Sequence, residues 1–292
     1  MTKTAATAKT KATKKKAGKK PAQRHKYTAA TADKYELYQK AVQSPDTDVD
    51  FLTETYEDLV GREPKHLRED FCGTALICCE WVTRDEDKTA EGYDLDPEPL
   101  EYGKEHGQAK VRKKGAEDRL QLFLEDARAP GRKAPDVRIA QNFSYWLFRE
   151  RAELLDYFKI AHESLAEDGI FVIDLYGGTE GITEMEEERK IEGGFTYVWD
   201  QDEYFPGTAE FFCNIHFRFR DGSELQNAFQ YHWRKWGMME LKDLLYEAGF
   251  SDVGSYFEGD DEDDPEEGNG IFEADPRGEN CESWIAYLVS RK

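Results

Sequence analysis

Three acidic residues each end a strand-like segment of the sequence, and together they suggest a binding site. Glu69, Asp94 and Asp126 end three successive segments of this kind, and Asp94 lies 25 residues after Glu69. If the segments are parallel strands, their carboxyl ends meet at one edge of a sheet, where ligands bind in such folds. Carboxylates at that edge can accept hydrogen bonds from an ammonium group, from the two hydroxyls of a ribose and from an adenine amino group. The ordered set therefore predicts a nucleoside pocket.

These segments belong to a regular alternation of strands and helices that begins after Pro64. Its predicted strands are 66–71, 89–94, 120–124, 136–141 and 169–175. Its predicted helices are 74–84, 97–106 and 150–166. Alternation at this spacing implies a parallel sheet with right-handed crossovers. The predicted fold class is therefore α/β, with a Rossmann-like, doubly wound and mostly parallel sheet.

Segments with other patterns flank this core, which is assigned to residues 63–178. Apolar residues at helical spacing predict two helices within residues 33–62, which form an N-terminal helical cap. Residues 179–237 predict an antiparallel β insertion. Its strand-like pieces are 195–199, 210–220 and 225–233. Residues 238–292 are expected to complete the core with a reversed C-terminal strand. Their predicted elements are a helix at 238–248 and strands at 253–257 and 284–289.

Charge separates the amino terminus from the rest of the chain. Residues 1–26 contain ten Lys and Arg and no acid, whereas residues 27–292 carry 30 basic and 61 acidic side chains. A body this acidic repels nucleic acid, so any nucleic acid contact is expected through residues 1–26. The Lys, Ala and Thr composition predicts a disordered tail over residues 1–32. A further hypothesis is that this tail folds back on the acidic segment 258–267.

Cysteine usage and hydropathy indicate the compartment. The five cysteines have neither paired nor CxxC spacing, which favours reduced thiols, with no disulfide and no metal site. The sequence has no apolar run of membrane-spanning length and no secretory signal pattern. We therefore expect a cytoplasmic protein without membrane contact.

With these motifs, the sequence resembles the class I S-adenosylmethionine-dependent methyltransferases over roughly residues 33–292. The resemblance implies S-adenosylmethionine as the cofactor, with the ribose on Asp94 and the adenine amino group on Asp126. It also implies that Ala140–Trp146, AQNFSYW, borders the transferred methyl group. The residues that it assigns to the cofactor are Glu69, Phe71, Cys72, Gly73, Thr74, Asp94, Leu95, Asp126, Ala127 and Asn142.

The loop after the first strand departs from the family pattern of an acid followed by three alternating glycines. Phe71 stands at the first glycine position and Ala75 at the last, and only the central Gly73 is retained. The sequence therefore predicts that the backbone near Phe71 turns without a positive φ, or that the loop sits slightly differently. Thr74 is expected to cap the helix that follows. The absence of GxGxxG and GxxxxGK[ST] motifs disfavours a nicotinamide cofactor and a nucleoside triphosphate.

The methyl acceptor is expected to be a small molecule with a nitrogen or oxygen nucleophile. The insertion resembles that of small-molecule N-methyltransferases, in which it forms part of the acceptor site or a dimer face, so a homodimer is also considered. The residues considered for catalysis are Asn142, Tyr145 and His232, and those considered comparable are Asp174, Tyr176 and Asp200. His232 can accept a proton near neutral pH. For Tyr145 the alternative is core packing, and for His232 it is a structural or exposed position.

Two other functions stay open at this point. In the first, the basic tail recruits the domain to RNA or protein, and the acceptor is a macromolecule. In the second, the altered loop no longer holds a cofactor, and the chain is a non-catalytic binding or scaffold protein of the same fold. The ordered acids Glu69, Asp94 and Asp126 disfavour the second alternative.

Overall fold

The computed structural model describes residues 26–260 and 268–292. Its helices are α1 (Lys34–Val42), α2 (Pro45–Val60), α3 (Leu76–Arg84), α4 (Pro97–Tyr102), α5 (Ala109–Lys114), α6 (Arg151–Ser164) and α7 (Met238–Ala248). Its strands are β1 (His66–Asp70), β2 (Thr89–Asp94), β3 (Leu120–Leu124), β4 (Val137–Ala140), β5 (Ile170–Gly177), β6 (Met185–Ile191), β7 (Phe195–Phe205), β8 (Glu210–Phe219), β9 (Glu224–Arg234), β10 (Asp252–Asp260), β11 (Gly268–Ala274) and β12 (Trp284–Arg291). Among these residues, no helix is both long and apolar enough to span a membrane.

The main sheet has the order β11-β10-β12-β5-β4-β1-β2-β3. Strands β1 to β5 are parallel to one another, and β12 runs antiparallel to both β5 and β10. Because β1 lies between β2 and β4, the loops that follow these three strands emerge side by side at one edge. The predicted Rossmann-like, doubly wound sheet with a reversed final strand is confirmed.

The insertion forms a second, antiparallel sheet with the order β6-β7-β8-β9. One face of this sheet packs against the cap, because Leu37 of α1 is buried in the same apolar cluster as Phe195, Ile215 and Phe217. Helix α1 therefore lies between the insertion and the main sheet. The predicted β insertion and helical cap are confirmed as parts of the fold.

Three local features differ from the sequence prediction. Strand β6 was not predicted, because its residues are largely charged and lie at a solvated sheet edge. Strand β11, which pairs with β10, was also missed. In place of the predicted helix 97–106 the structure has α4 and a π-helical turn over Gly103–Gly107, and α5 follows. Gly103 allows this segment to approach the loop after β1 closely, because a Cβ atom there would overlap the carbonyl oxygen of Thr74.

Residues 26–32 were assigned to the disordered tail, and this assignment is wrong for these positions. Tyr27 is buried, packs edge-on against Phe195 at 5.5 Å and donates a hydrogen bond to Glu36. The backbone N–H of Ala29 donates to Ser223. A single aromatic side chain thus anchors this segment to the insertion. The rest of the predicted tail, and most of the acidic segment 258–267, lies outside the described residues.

A buried ion network lies at the centre of the parallel sheet. Asp70 of β1 accepts hydrogen bonds from Arg68 at 2.8 Å and Arg138 of β4 at 2.7 Å, and the hydroxyl of Tyr157 donates to it at 2.7 Å. The two arginines are fully buried. Both donate to the carbonyl oxygen of Ala127 at 2.7 Å. The network therefore fixes the loop after β3, which carries Asp126, to the ends of β1 and β4.

Candidate functional site

The loop after β1 adopts a glycine-type backbone conformation although two of the three glycine positions are filled by other residues. Phe71, Gly73 and Ala75 have φ angles of 55°, 52° and 56°. The expectation that the chain turns without a positive φ at Phe71 is therefore wrong. This conformation costs a non-glycine residue about 1–2 kcal/mol. Packing offsets that cost, because the Phe71 ring contacts Phe148 and Tyr157 and Ala75 is fully buried.

Asp94 ties this loop to the end of β2. One carboxylate oxygen accepts a hydrogen bond from the N–H of Gly73 at 2.7 Å, and the other accepts from the N–H of Asp96 at 2.8 Å. The N–H of Cys72 donates to the carbonyl oxygen of Tyr93 at 2.9 Å. Burial raises the pKa of Asp94, and the two N–H donors act in the opposite direction. The structure thus brings together Cys72, Gly73 and Asp94, as the sequence predicted.

Glu69 serves as a remote cap for helix α3. Its carboxylate accepts a hydrogen bond from the N–H of Cys78, in the first turn of α3, at 3.0 Å. Ala75 at the N-cap position offers no side-chain acceptor, so Glu69 supplies one. The expected capping role of Thr74 is wrong, since the Thr74 hydroxyl instead accepts from Gln39 of α1 at 2.8 Å. Burial raises the pKa of Glu69 to about 7.

Asp174 organises the turn after β4. Its carboxylate accepts hydrogen bonds from the N–H groups of Asn142 at 2.6 Å and Phe143 at 2.9 Å, two residues that both have a positive φ. Burial raises the pKa of Asp174 to about 7, and these two donors partly offset the increase. Tyr145 is fully buried, and its hydroxyl donates to the carbonyl oxygen of Asp174 at 2.8 Å. The structure therefore gives Tyr145 a packing role in this turn, which was the alternative to catalysis.

Four carboxylates, of which Glu69 and Asp174 are buried and Asp48 and Asp94 are partly exposed, are close enough to influence one another at this edge. The charges of Asp48 and Asp94 raise the pKa of Glu69, and the charge of Asp48 raises the pKa of Asp174. Burial raises the pKa of Asp48 itself to about 6, although the Tyr287 hydroxyl donates to it at 2.8 Å. Across residues 26–260 and 268–292, no ion pair joins any of the four to a basic side chain. When they ionise, these carboxylates therefore have no compensating basic side chain among the described residues.

The residues predicted to contact adenine lie on a more exposed part of the edge. Arg128 holds the carboxylate of Asp126 through two hydrogen bonds, of 2.9 and 2.8 Å, and lowers the pKa of that carboxyl. The carbonyl oxygen of Ala127 is occupied by the buried arginines. Leu95, directly after Asp94, is 65% exposed. A ligand at this position would have to share Asp126 with Arg128 and could cover Leu95.

His232 does not lie with the other predicted site residues. Its ring stacks on Phe212 at 4.1 Å, and its Nε2 lies 3.0 Å from a carboxylate oxygen of Glu210. Side chains alternate along a strand, so His232 points away from the face of β9 that presents Tyr231 and Trp233 to the main sheet. The structure thus does not bring His232 together with Asn142 and Tyr145.

Asp200 and Tyr176 also lie on opposite faces of the insertion sheet. Asp200 faces outward, where its carboxylate accepts from Asn214 at 3.0 Å and lies 3.2 Å from Nε2 of His216. Tyr176 faces inward from the end of β5, and its hydroxyl donates to Gln201 at 3.0 Å. Of these two candidates, only Tyr176 lies at the same edge of the main sheet as the loop after β1.

Sequence reasoning did not identify Lys235, which lies beside Tyr176. Its Nζ donates to the carbonyl oxygen of Tyr176 at 2.9 Å and lies 3.6 Å from the centre of the Tyr176 ring and 4.8 Å from that of Trp146. Burial lowers the pKa of Lys235 to about 7. The run His232–Trp236 combines aromatic and basic residues, and this composition was the available signal.

Two surface cavities lie elsewhere. One, of about 360 Å³, is lined by residues of the loop between β3 and β4 and of α6. The other, of about 690 Å³, lies between α1 and β6. Neither is lined by the residues predicted to hold the cofactor. In the described part of the chain, no group of three or more His, Cys, Asp or Glu is placed to hold a metal ion.

Comparison with known proteins gives structural matches only. No protein-family model and no curated protein sequence matches the chain. A S-adenosylmethionine-dependent methyltransferase from Clostridium acetobutylicum is 17% identical, with a TM-score of 0.59 and coverage of 87% of this chain and 96% of that one. A S-adenosylmethionine-bound amino pentose methyltransferase from Micromonospora echinaspora, involved in calicheamicin biosynthesis, is 14% identical, with a TM-score of 0.60 and coverage of 89% and 98%.

A third similar structure is a sugar N-methyltransferase from a Streptoalloteichus species. It is 13% identical, with a TM-score of 0.58, and the match covers 95% of this chain and 98% of that one. In each case the match covers most of both chains. The chain therefore has the fold of the class I S-adenosylmethionine-dependent methyltransferases.

Proposed function

We propose that the protein binds S-adenosylmethionine at the edge formed by the loops after β1, β2 and β4 and transfers its methyl group to a small molecule. The observation that carries this proposal is the glycine-type conformation at Phe71, Gly73 and Ala75, fixed to Asp94 by the N–H of Gly73. Keeping this backbone with two non-glycine residues is energetically costly. Strained backbone conformations of this kind cluster in ligand-binding loops.

The chemistry of the edge fits this ligand. S-adenosylmethionine carries an ammonium and a sulfonium, and the carboxylates of Glu69, Asp94 and Asp174 lack basic partners among the described residues. Each oxygen of Asp94 uses one lone pair for a backbone N–H and keeps another for a ribose hydroxyl. Gly73 has free space beside it, since a Cβ atom there would meet nothing within 4 Å.

When bound, S-adenosylmethionine supplies a methyl group on positively charged sulfur, which a nucleophile displaces in line while the electron pair of the broken bond stays on sulfur. The protein is proposed to contribute orientation and exclusion of water. Helix α1 contacts the loop after β1 through the hydrogen bond from Gln39 to Thr74. It also contacts α4 through an ion pair of 3.1 Å between Lys34 and Glu98. Asn142 is oriented by Asp174 and borders the proposed methyl position.

A small-molecule acceptor is supported by two observations. Two of the similar structures are an amino pentose methyltransferase and a sugar N-methyltransferase. The acidic body also disfavours an extended nucleic-acid groove. Recruitment to RNA or protein through residues 1–26 remains the alternative, and its test is whether deletion of those residues abolishes binding to RNA. The proposed acceptor atom is a nitrogen or oxygen nucleophile. His232 has no part in the proposed methyl transfer.

Thermal unfolding in the presence of candidate nucleosides tests the cofactor assignment. We expect S-adenosylmethionine and S-adenosylhomocysteine to raise the melting temperature, because a ligand that binds only the folded state stabilises it. NAD and ATP are expected to leave it unchanged. Stabilisation by NAD or ATP alone, or by none of the four, would overturn the proposal and favour the scaffold alternative.

A further inference from the structure

Four partly accessible aromatic side chains lie together between helix α1, the insertion and the edge of the parallel sheet, and we call the space between them the aromatic cleft. The residues of this aromatic cleft are Tyr38 of α1, Tyr197 and Trp199 of β7, and Tyr231 of β9. All four pack against apolar clusters, and yet each keeps part of its surface accessible. Trp199 and Tyr231 contact both the cluster of the main core and the cluster under α1. These side chains therefore lie at the junction between the insertion, helix α1 and the main core.

The four side chains converge. The rings of Trp199 and Tyr231 lie 6.2 Å apart at an angle of 42°. The hydroxyls of Tyr38 and Tyr231 interact with one another, and Tyr197 is close enough for its charge to influence Tyr231. Burial raises the pKa of all three phenols, so they remain uncharged near neutral pH. The cleft thus presents aromatic faces and neutral hydroxyl groups.

Asp174 connects the aromatic cleft to the proposed methyl position. Its carboxylate holds Asn142 and Phe143, and its charge also acts on the phenol of Tyr38. The ring of Tyr176, two residues after Asp174, lies 6.4 Å from that of Trp199. A ligand in the cleft would therefore lie next to the turn that borders the methyl group.

The charge around the cleft favours a cation. Asp48, Glu69, Asp94 and Asp174 have no basic partner among the described residues, and S-adenosylmethionine carries a net charge of only +1. The basic groups nearby are Arg189, which lies 5.6 Å from the centre of the Tyr197 ring, and Lys235, which lies over the Tyr176 ring and whose pKa burial lowers to about 7. At about pH 8 this amine is mostly neutral. Negative charge therefore remains after the cofactor has bound.

We propose that the aromatic cleft binds the methyl acceptor as an organic amine, held by cation–π contact with Trp199 and Tyr231 beside the carboxylate of Asp174. The acceptor nitrogen loses a proton to water before it attacks, and the methylated product is again a cation that the same rings can hold. This inference rests on the proposed function and specifies the substrate class of the same site.

Isothermal titration with choline, a stable alkylammonium probe, tests the inference on protein saturated with S-adenosylhomocysteine at about pH 8. The uncharged carbon isostere dimethylbutanol is the matched ligand. We expect choline to bind at least about tenfold more tightly than dimethylbutanol. Trp199→Leu and Tyr231→Leu should each weaken choline binding by about tenfold, whereas Tyr231→Phe, which keeps the ring, should retain it.

The control variant is Phe212→Leu, which removes an aromatic ring from the opposite face of the same sheet. It should bind choline like the wild type. Equal binding of choline and dimethylbutanol, or undiminished choline binding in both leucine variants, would overturn the amine assignment. Titration of S-adenosylhomocysteine into the same samples separates the two proposals. If it binds and choline shows no preference, only the amine assignment fails; if it does not bind, the proposed function fails.

Discussion

The carboxylate of Asp94, at the end of β2, accepts a hydrogen bond of 2.7 Å from the backbone N–H of Gly73, in the loop after β1. Gly73 lies between Phe71 and Ala75, which hold a positive φ without being glycine. The hydrogen bond therefore joins the two strand ends that the sequence assigns to one ligand. It also ties this strained loop to the sheet.

Gly73 is expected to be required for its backbone conformation. We predict that Gly73→Ala lowers the free energy of unfolding by about 1 kcal/mol, because alanine is strained at a φ of 52°. Space is available for the new methyl group, since nothing lies within 4 Å of its position. Gly207→Ala is the matched control, because Gly207 also has open space and is not among the positive-φ glycines. Urea unfolding measures both, and equal effects of the two variants would contradict the strain explanation.

The buried network around Asp70 is expected to contribute more to stability than a surface ion pair does. Asp70→Ala leaves Arg68 and Arg138 buried without a carboxylate, which should destabilise the protein by about 3–5 kcal/mol. Asp126→Ala removes a more exposed partner of Arg128 and should cost no more than about 1 kcal/mol. Urea unfolding followed by tryptophan fluorescence gives both values. Similar losses in the two variants would show that the network does not stabilise the core in this way.

Asp174 is expected to make stability depend on pH. An unfolded aspartate titrates at about pH 4, whereas burial raises the folded pKa of Asp174 to about 7. The folded state thus holds an additional proton in this window, and the corresponding stability is present below about pH 4 and lost as the pH rises through about 7. Asp174→Asn should make the unfolding free energy fall less steeply with pH between these values. Asp87→Asn, at an exposed residue, is the control, and an unchanged slope in Asp174→Asn would contradict the prediction.

Most of the fold could be predicted from the sequence, because the apolar pattern that marks strands and helices is local. Most of the parallel strands and the reversed final strand follow from short apolar segments, whereas the charged strand β6 and strand β11 lack such a pattern. The edge acids Glu69 and Asp94 were identified for the same reason. The positive φ of Phe71 was not, because only tertiary packing against Phe148 and Tyr157 supports it.

Other features of the site depend on contacts between distant parts of the chain. The hydrogen bond from Cys78 to Glu69 replaces the cap that Thr74 was expected to provide, and residue types alone could not distinguish the two. His232 was considered for its chemistry, but its register on β9 turns it to the outer face. The buried ion network did have an available signal in the sequence. Strand β1, His66–Asp70, is charged, although parallel strands covered on both faces usually lack charged residues.

The charge of the site is expected to distinguish the methyl donor from its product. S-adenosylhomocysteine lacks the sulfonium, so ionisation of Glu69 and Asp174 should favour S-adenosylmethionine more strongly. We predict that the ratio of the two affinities shifts toward S-adenosylmethionine as the pH rises through about 7, where burial places both carboxyl pKa values. Equilibrium dialysis with labelled ligands at several pH values measures this ratio. A ratio that is independent of pH would show that these carboxylates do not sense the sulfonium.

The most direct test of the central claim is isothermal titration of S-adenosylhomocysteine into the wild type, Asp94→Ala and the control Asp87→Ala, with NAD as a control ligand. The account predicts micromolar binding to the wild type and to Asp87→Ala, with a loss of at least about 1.4 kcal/mol, or tenfold, in Asp94→Ala. NAD should give no heat of binding. Equal binding to all three proteins would contradict the assignment of Asp94, and no binding to the wild type would contradict the cofactor site itself.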